Sequence, residues 1–180
     1  MSIWRAVGML PLIFFGAYAV DAWRDHRLAD CLWMCHVANV MLALGMLTHR
    51  PTVIALAAVW IVFGIPLWIY DMWHTGQVNP VSTISHVGGL LVAIYAVAHV
   101  RMSANPWFYG ILVYLAIQQL CRWVTPAALN VNLAHRIYPG WEDRFGGYGA
   151  YWSVITLATA VSIWAIGLLL MYAFPPLREQ

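Results

Sequence analysis

Six apolar runs, each near the roughly 20 residues that an α-helix needs to cross a bilayer, cover most of the chain: 6–23, 28–48, 52–73, 81–102, 107–125 and 148–174. With 63% hydrophobic and 9% charged residues, the composition excludes an ordinary soluble domain. The runs predict an all-α polytopic membrane protein: six transmembrane helices in one bundle, a single domain over 1–180, both termini on the same side. The connections are short except for Pro126 to Gly147. The eleven Trp and nine Tyr gather largely at run ends, as at Trp4, Trp23, Trp73, Trp107, Trp123 and Trp152, where aromatic side chains settle at a bilayer interface.

The first run follows Arg5 and includes Ala17-Tyr18-Ala19, a pattern shared with cleavable signal peptides. The apolar stretch continues to Trp23, so a retained first span is expected. All the basic residues are Arg. Arg5, Arg50, Arg101 and Arg178 fall on the terminal side and Arg24, Arg27, Arg122, Arg136 and Arg144 on the other, so the positive-inside rule leaves orientation open. A net charge of +2 points to no nucleic-acid partner.

Polar residues inside a membrane are costly and mark function. Here they cluster toward one face. Cys31, Cys35 and His36 open span two; Asp71 and His74 close span three; Ser85 and His86 open span four; Gln118, Gln119 and Arg122 end span five. The long connection, with Asn130, Asn132, His135, Arg136 and Arg144, covers the same face. At 1.5 Å per residue, Cys35 would lie about 10 Å and His86 roughly 6 Å below their helix starts. A polar cavity opening on that face is expected, with Asn39, one turn beyond Cys35, at its floor. Pro66 is expected to kink span three. The opposite half of the bundle reads as packing, with Gly45, Gly64, Gly88, Gly89 and Gly167 placed for close helix contact.

Three chemistries suit such a cavity. In the first, an imidazole takes the proton of a nucleophilic thiol, with Cys35 and His86 as the pair and Asn39, Asn130 or Asn132 orienting the ring or donating to an oxyanion. In the second, Cys31, Met34, Cys35 and His36 offer soft metal ligands, but His36 points about 100° from the Cys31–Cys35 stripe, so no metal is expected. In the third, His36/His49 and His86/His99 repeat at 13 residues on parallel helices, as in two-haem bundles. That spacing leaves the two rings of each helix about 140° apart, where 14 residues would leave about 40°. No cofactor is therefore expected, with haem at His36/His86 as the alternative. Three cysteines give no disulfide framework.

Leu32-Trp33-Met34-Cys35, Leu47-Thr48-His49-Arg50, Ser85-His86-Val87-Gly88-Gly89-Leu90 and Asn130-Val131-Asn132-Leu133, followed by Pro139, Gly147 and Tyr151-Trp152, resemble the YwaF-type integral membrane proteins. These are similar to membrane-embedded ether-lipid acyltransferases. The resemblance implies a Cys–His pair acting on acyl lipids, Cys35 matching the nucleophile and His86 the base. The chain departs from the family at Leu32-Trp33-Met34, where Leu-Pro-Leu is usual, and at Asn130-Val131, where Asn-Tyr is usual. The reading is a lipid acyl hydrolase or transferase with Cys35, His86, Asn39, Asn130 and Asn132 catalytic, His36, Gln119, Arg122, His135 and Arg144 binding substrate, and membrane lipid as partner. The alternative is a non-enzymatic accessory subunit packed against other membrane subunits, binding haem, pigment or metal.

Overall fold

In the computed structural model, which describes residues 3–103 and 105–175, the chain forms six α-helices: α1 Ile3–Arg24, α2 Met34–Leu47, α3 Pro51–Thr75, α4 Pro80–Val100, α5 Pro106–Val124 and α6 Tyr148–Ala173. Single 3-10 turns lie at Leu28–Leu32, Val131–Leu133 and Glu142–Arg144. No strand occurs among the described residues. Arg178 lies outside them.

Local chemistry sets the helix ends. Pro51, Pro80 and Pro106 open α3, α4 and α5, where a missing N–H costs nothing because the first-turn N–H groups have no partner within the helix. Asn79 accepts from the Ser82 N–H at 2.9 Å and caps α4. Gly76, at φ 66°, ends α3 in the left-handed conformation open to glycine. α3 runs unbroken through Pro66.

Span two departs from expectation. The helix does not begin at Leu28: Trp33 is extended at φ −55°, ψ 135°, and separates the Leu28–Leu32 turn from α2. The break persists because Asn132 pairs with the backbone on both sides of it, accepting from the Met34 N–H at 3.0 Å and donating to the Leu32 carbonyl at 2.8 Å. α2 therefore has 14 residues, about 21 Å of rise against a hydrocarbon core of roughly 30 Å. Cys35 stands in its first turn rather than deep in a span. His86, six residues after Pro80, lies about 9 Å into α4.

α3 is central. Every residue from Ile54 to Ile61 is buried, enclosed by α2 and α4 on one side and by α5 and α6 on the other, while α1 packs on α2 and α4. Close approach depends on the glycines. An added Cβ would meet Ile54 Cγ1 at 2.9 Å from Gly45, Cys35 Cβ at 3.3 Å from Gly64, Phe14 at 2.6 Å from Gly88, Asn39 Oδ1 at 2.5 Å from Gly89 and Trp107 Cβ at 3.0 Å from Gly167. All five glycines expected at helix contacts lie at them.

The outer surface is apolar. α6 buries Tyr151, Thr159, Ile163, Gly167 and Leu170 along one stripe while Leu157, Val161 and Leu169 stay exposed. Four helices, α1, α3, α4 and α6, are long and apolar enough to cross a membrane. α5 carries Gln118, Gln119 and Arg122 and falls outside that set.

Gly45→Ala drives a methyl into Ile54 and should destabilise by about 1–3 kcal/mol. Gly16→Ala, with nothing within 4 Å of its added Cβ, should instead gain roughly 0.5–1 kcal/mol from helix propensity. Denaturation of each variant in detergent micelles should give shifts of opposite sign.

Candidate functional site

Four helices meet at a pair of imidazoles. His36 of α2 and His86 of α4 lie edge to face with ring centroids 5.5 Å apart. Each has a ring face covered: Tyr18 of α1 stacks on His36 at 3.6 Å, and Trp68 of α3 stacks on His86 at 5.0 Å. Ser85 Oγ meets His36 Nδ1 at 3.4 Å.

Hydrogen bonding fixes the tautomer of His86. Its Nδ1 lies 2.8 Å from the Ser82 carbonyl. A carbonyl only accepts, so Nδ1 carries the proton and Nε2 keeps its lone pair. This is the form in which an imidazole serves as a base.

Cys35, next in sequence to His36, is half-buried, with its Cβ against Gly64 of α3. The backbone N–H groups of Cys35 and His36 approach its sulfur. Asn39 lies below, donating to the Cys35 carbonyl at 3.1 Å and to the Ser85 carbonyl and hydroxyl at 3.4 Å. Its Oδ1, buried against Gly89, takes no hydrogen bond.

The side chains expected to line an open cavity form a packed cluster instead. His36 and Asn39 are 2% exposed, His86 6% and Ser85 0%, because the Tyr18 and Trp68 rings fill the intervening space. Two surface depressions, one at Asn105, Trp107, Phe108 and Tyr109 and one at Trp23, Arg24 and His26, lie away from Cys35 and His86. The haem alternative does not fit. The His36 and His86 rings touch edge to face, and no gap between them admits a macrocycle. Among the described residues, no three His, Cys, Asp or Glu side chains gather to hold a metal.

The long connection is pinned to the bundle, but its asparagines are committed to backbone. Asn130 accepts from the His135 and Arg136 N–H groups, both at 3.0 Å, and donates to the Arg136 carbonyl at 3.0 Å. Asn132 holds the start of α2 and donates to Cys121 Sγ at 3.3 Å. Both are left-handed, at φ 46° and 51°, a conformation asparagine tolerates because its short side chain bonds locally.

Residues expected to contact substrate are likewise engaged. Arg122 donates to the Ala134 carbonyl at 2.8 Å and the Tyr148 hydroxyl at 2.9 Å, lies over the Tyr148 and Trp152 rings, and reaches Gln119 Oε1 at 3.4 Å. His135 Nε2 meets Thr125 Oγ1 at 3.1 Å. Arg144 is exposed and covers Trp141. The connection docks on α3, where Tyr138 donates to Asp71 at 2.9 Å and Trp141 to the Tyr70 hydroxyl at 3.2 Å. Burial, then the Asp71 carboxylate, pushes the Tyr138 phenol above its ordinary range and keeps it a donor. Among the described residues no side chain of the connection hydrogen-bonds α4.

Sequence reasoning passed over Tyr18, Trp68 and Ser82. Tyr18 sits in a small-x-small pattern, and no local pattern marks Trp68 or Ser82. Only the helix pairing reveals that both cover imidazoles.

No family model, curated protein or solved structure matches this chain.

Asn132→Ala should cost about 1–3 kcal/mol for each buried backbone group it orphans. Its amide exchange should rise at Met34 and through the first turn of α2. Asn130→Ala should loosen residues 130–136 and leave α2 protected. Hydrogen–deuterium exchange on both variants checks the division.

Proposed function

We propose that the chain is a multi-pass integral membrane protein of six spans with both termini on one side, and that Cys35 performs acyl transfer or hydrolysis on a membrane lipid with His86 as base. Neighbouring helices supply the topological support. Trp4 at the start of α1 donates to Met46 at the end of α2, Asn79 before α4 donates to Asp21 near the end of α1, and the Met102 N–H after α4 donates to the Phe174 carbonyl after α6. α2, α4 and α6 thus run opposite to α1, as alternating spans require. A shell with Leu91, Leu157 and Leu169 exposed suits lipid contact.

The observation that carries the catalytic reading is the position of Cys35. It stands in the first turn of α2, next in sequence to His36, whose ring lies edge to face with that of His86, the two imidazoles being buried and held by stacking and by Ser82. In this reading His86 Nε2 accepts the thiol proton, and sulfur attacks an ester carbonyl. The leaving alkoxide then recovers the proton from the imidazolium, leaving a thioester on Cys35. Water or a second alcohol completes the cycle by the same proton path.

Asn39 orients the Cys35 turn through its carbonyl. Asn130 and Asn132 act one step removed, by holding the connection and the start of α2. The resemblance to YwaF-type proteins gives the same assignment for Cys35 and His86.

Purified protein incubated with phosphatidylethanolamine and phosphatidylcholine carrying labelled acyl chains, in dodecyl maltoside micelles, should acquire a hydroxylamine-labile acyl group on Cys35. His86→Ala should slow its formation by about 10²-fold or more, and iodoacetamide should alkylate Cys35 faster than the buried Cys121. Acyl release that persists in Cys35→Ala, or the absence of any adduct, would leave the cluster as helix packing and favour an accessory subunit.

A further inference from the structure

The two ends of the bundle differ in charge. The end away from the termini holds every carboxylate side chain of the described residues, Asp21, Asp25, Asp30, Asp71, Glu142 and Asp143, against five Arg. Several of these groups satisfy one another or a neighbour: Arg27 pairs with Asp25 and Asp30, both at 2.9 Å, Asp21 accepts from Asn79 and Asp71 from Tyr138. The terminal end carries Arg5, Arg50 and Arg101 and, among the described residues, no Asp or Glu.

Trp4 draws that end together. Its indole N–H donates to the Met46 carbonyl at 2.7 Å. Its ring lies 6.1 Å from that of His49, between α2 and α3, and 6.0 Å from that of His99, in the last turn of α4. Arg50 directly follows His49, and Arg101 stands two residues after His99, so one aromatic side chain gathers both segments that bear these guanidiniums. The Met102 N–H, next to Arg101, donates to the Phe174 carbonyl at 3.0 Å and ties the same segment to the end of α6. Arg50 is exposed and Arg101 half-buried, and neither forms an ion pair among the described residues.

A guanidinium cannot lose its charge, and its fork of donors matches a phosphate as well as a carboxylate. Tryptophan settles at the depth of lipid headgroups. We propose that the terminal end of the bundle is a docking surface for acidic phospholipid, with Trp4 at headgroup depth and Arg50 and Arg101 taking the phosphodiester oxygens. A zwitterionic headgroup brings its own cation and gains less there, whereas phosphatidylglycerol carries a net negative charge that meets no competing carboxylate. Such docking requires a membrane-spanning bundle but no chemistry at Cys35.

Arg101 has φ 66°, a conformation open to glycine, so Arg101→Gly removes the charge without straining the backbone. Native mass spectrometry of the full chain, released from dodecyl maltoside micelles containing equal phosphatidylglycerol and phosphatidylcholine, counts the lipids retained. Wild type should retain phosphatidylglycerol in preference, and Arg50→Gln combined with Arg101→Gly should lower that preference by roughly tenfold or more. Arg50→Lys combined with Arg101→Lys should keep most of it, and Arg24→Gln, exposed at the other end, all of it. Equal retention of the two lipids by wild type overturns the proposal, as does an undiminished preference in the variant lacking both Arg. An equal fall in Arg24→Gln also overturns it, because the preference would then follow net charge rather than this end of the bundle. Retention of neither lipid by a chain soluble without detergent would sink the membrane reading and this docking together.

Discussion

A chain with so much exposed apolar surface must satisfy its buried polar groups from within, and the pairing of Asn132 with the backbone at the start of α2 is where that requirement shapes the molecule most. One side chain, 98 residues from its partner in sequence, holds the Met34 N–H and on the other side of Trp33 the Leu32 carbonyl. Without it the break at Trp33 would leave a buried donor and acceptor unpaired, each at a cost of about 1–3 kcal/mol. With it, α2 begins one residue before Cys35, and the thiol takes a first-turn position.

From that position the cluster is assembled by packing rather than by a cavity. Gly64 lets α2 approach α3, and Gly89 lets Asn39 lie flat on α4. The two imidazoles, from α2 and α4, are each covered by an aromatic ring, from α1 and α3. The long connection supports this from outside. Val131 and Ala134 are buried beside Cys121 and against Leu32 and Trp33, so the loop that supplies Asn132 also closes a small apolar core over the break.

Much of the helical framework was legible in the sequence because apolar length and glycine placement are local signals. The runs ending at Trp73 and Phe174 lie close to α3 and α6, and every glycine singled out for helix contact meets a neighbour. The break at Trp33 was not legible, since Leu28 to Thr48 is apolar enough to read as one span and its interruption is held by a residue from another part of the chain. Asn130 and Asn132 were recognised as out of the ordinary, but composition cannot tell an asparagine that orients substrate from one that caps a helix. His36 and His86 were visible as intramembrane polar residues. Their shared stack with Tyr18 and Trp68 depends on helix order, which no local pattern encodes.

The central proposal is that His86, held by Ser82 through Nδ1, acts through its unprotonated Nε2 as the base for the Cys35 thiol. Nitrogen NMR of the imidazoles, in protein carrying labelled histidine in micelles, tests this directly when wild type is compared with Cys35→Ala. The account predicts the Nδ1–H tautomer for His86 in both proteins and an Nε2 resonance that moves when the thiol is removed. An Nε2–H tautomer, or an Nε2 resonance indifferent to Cys35, would contradict it.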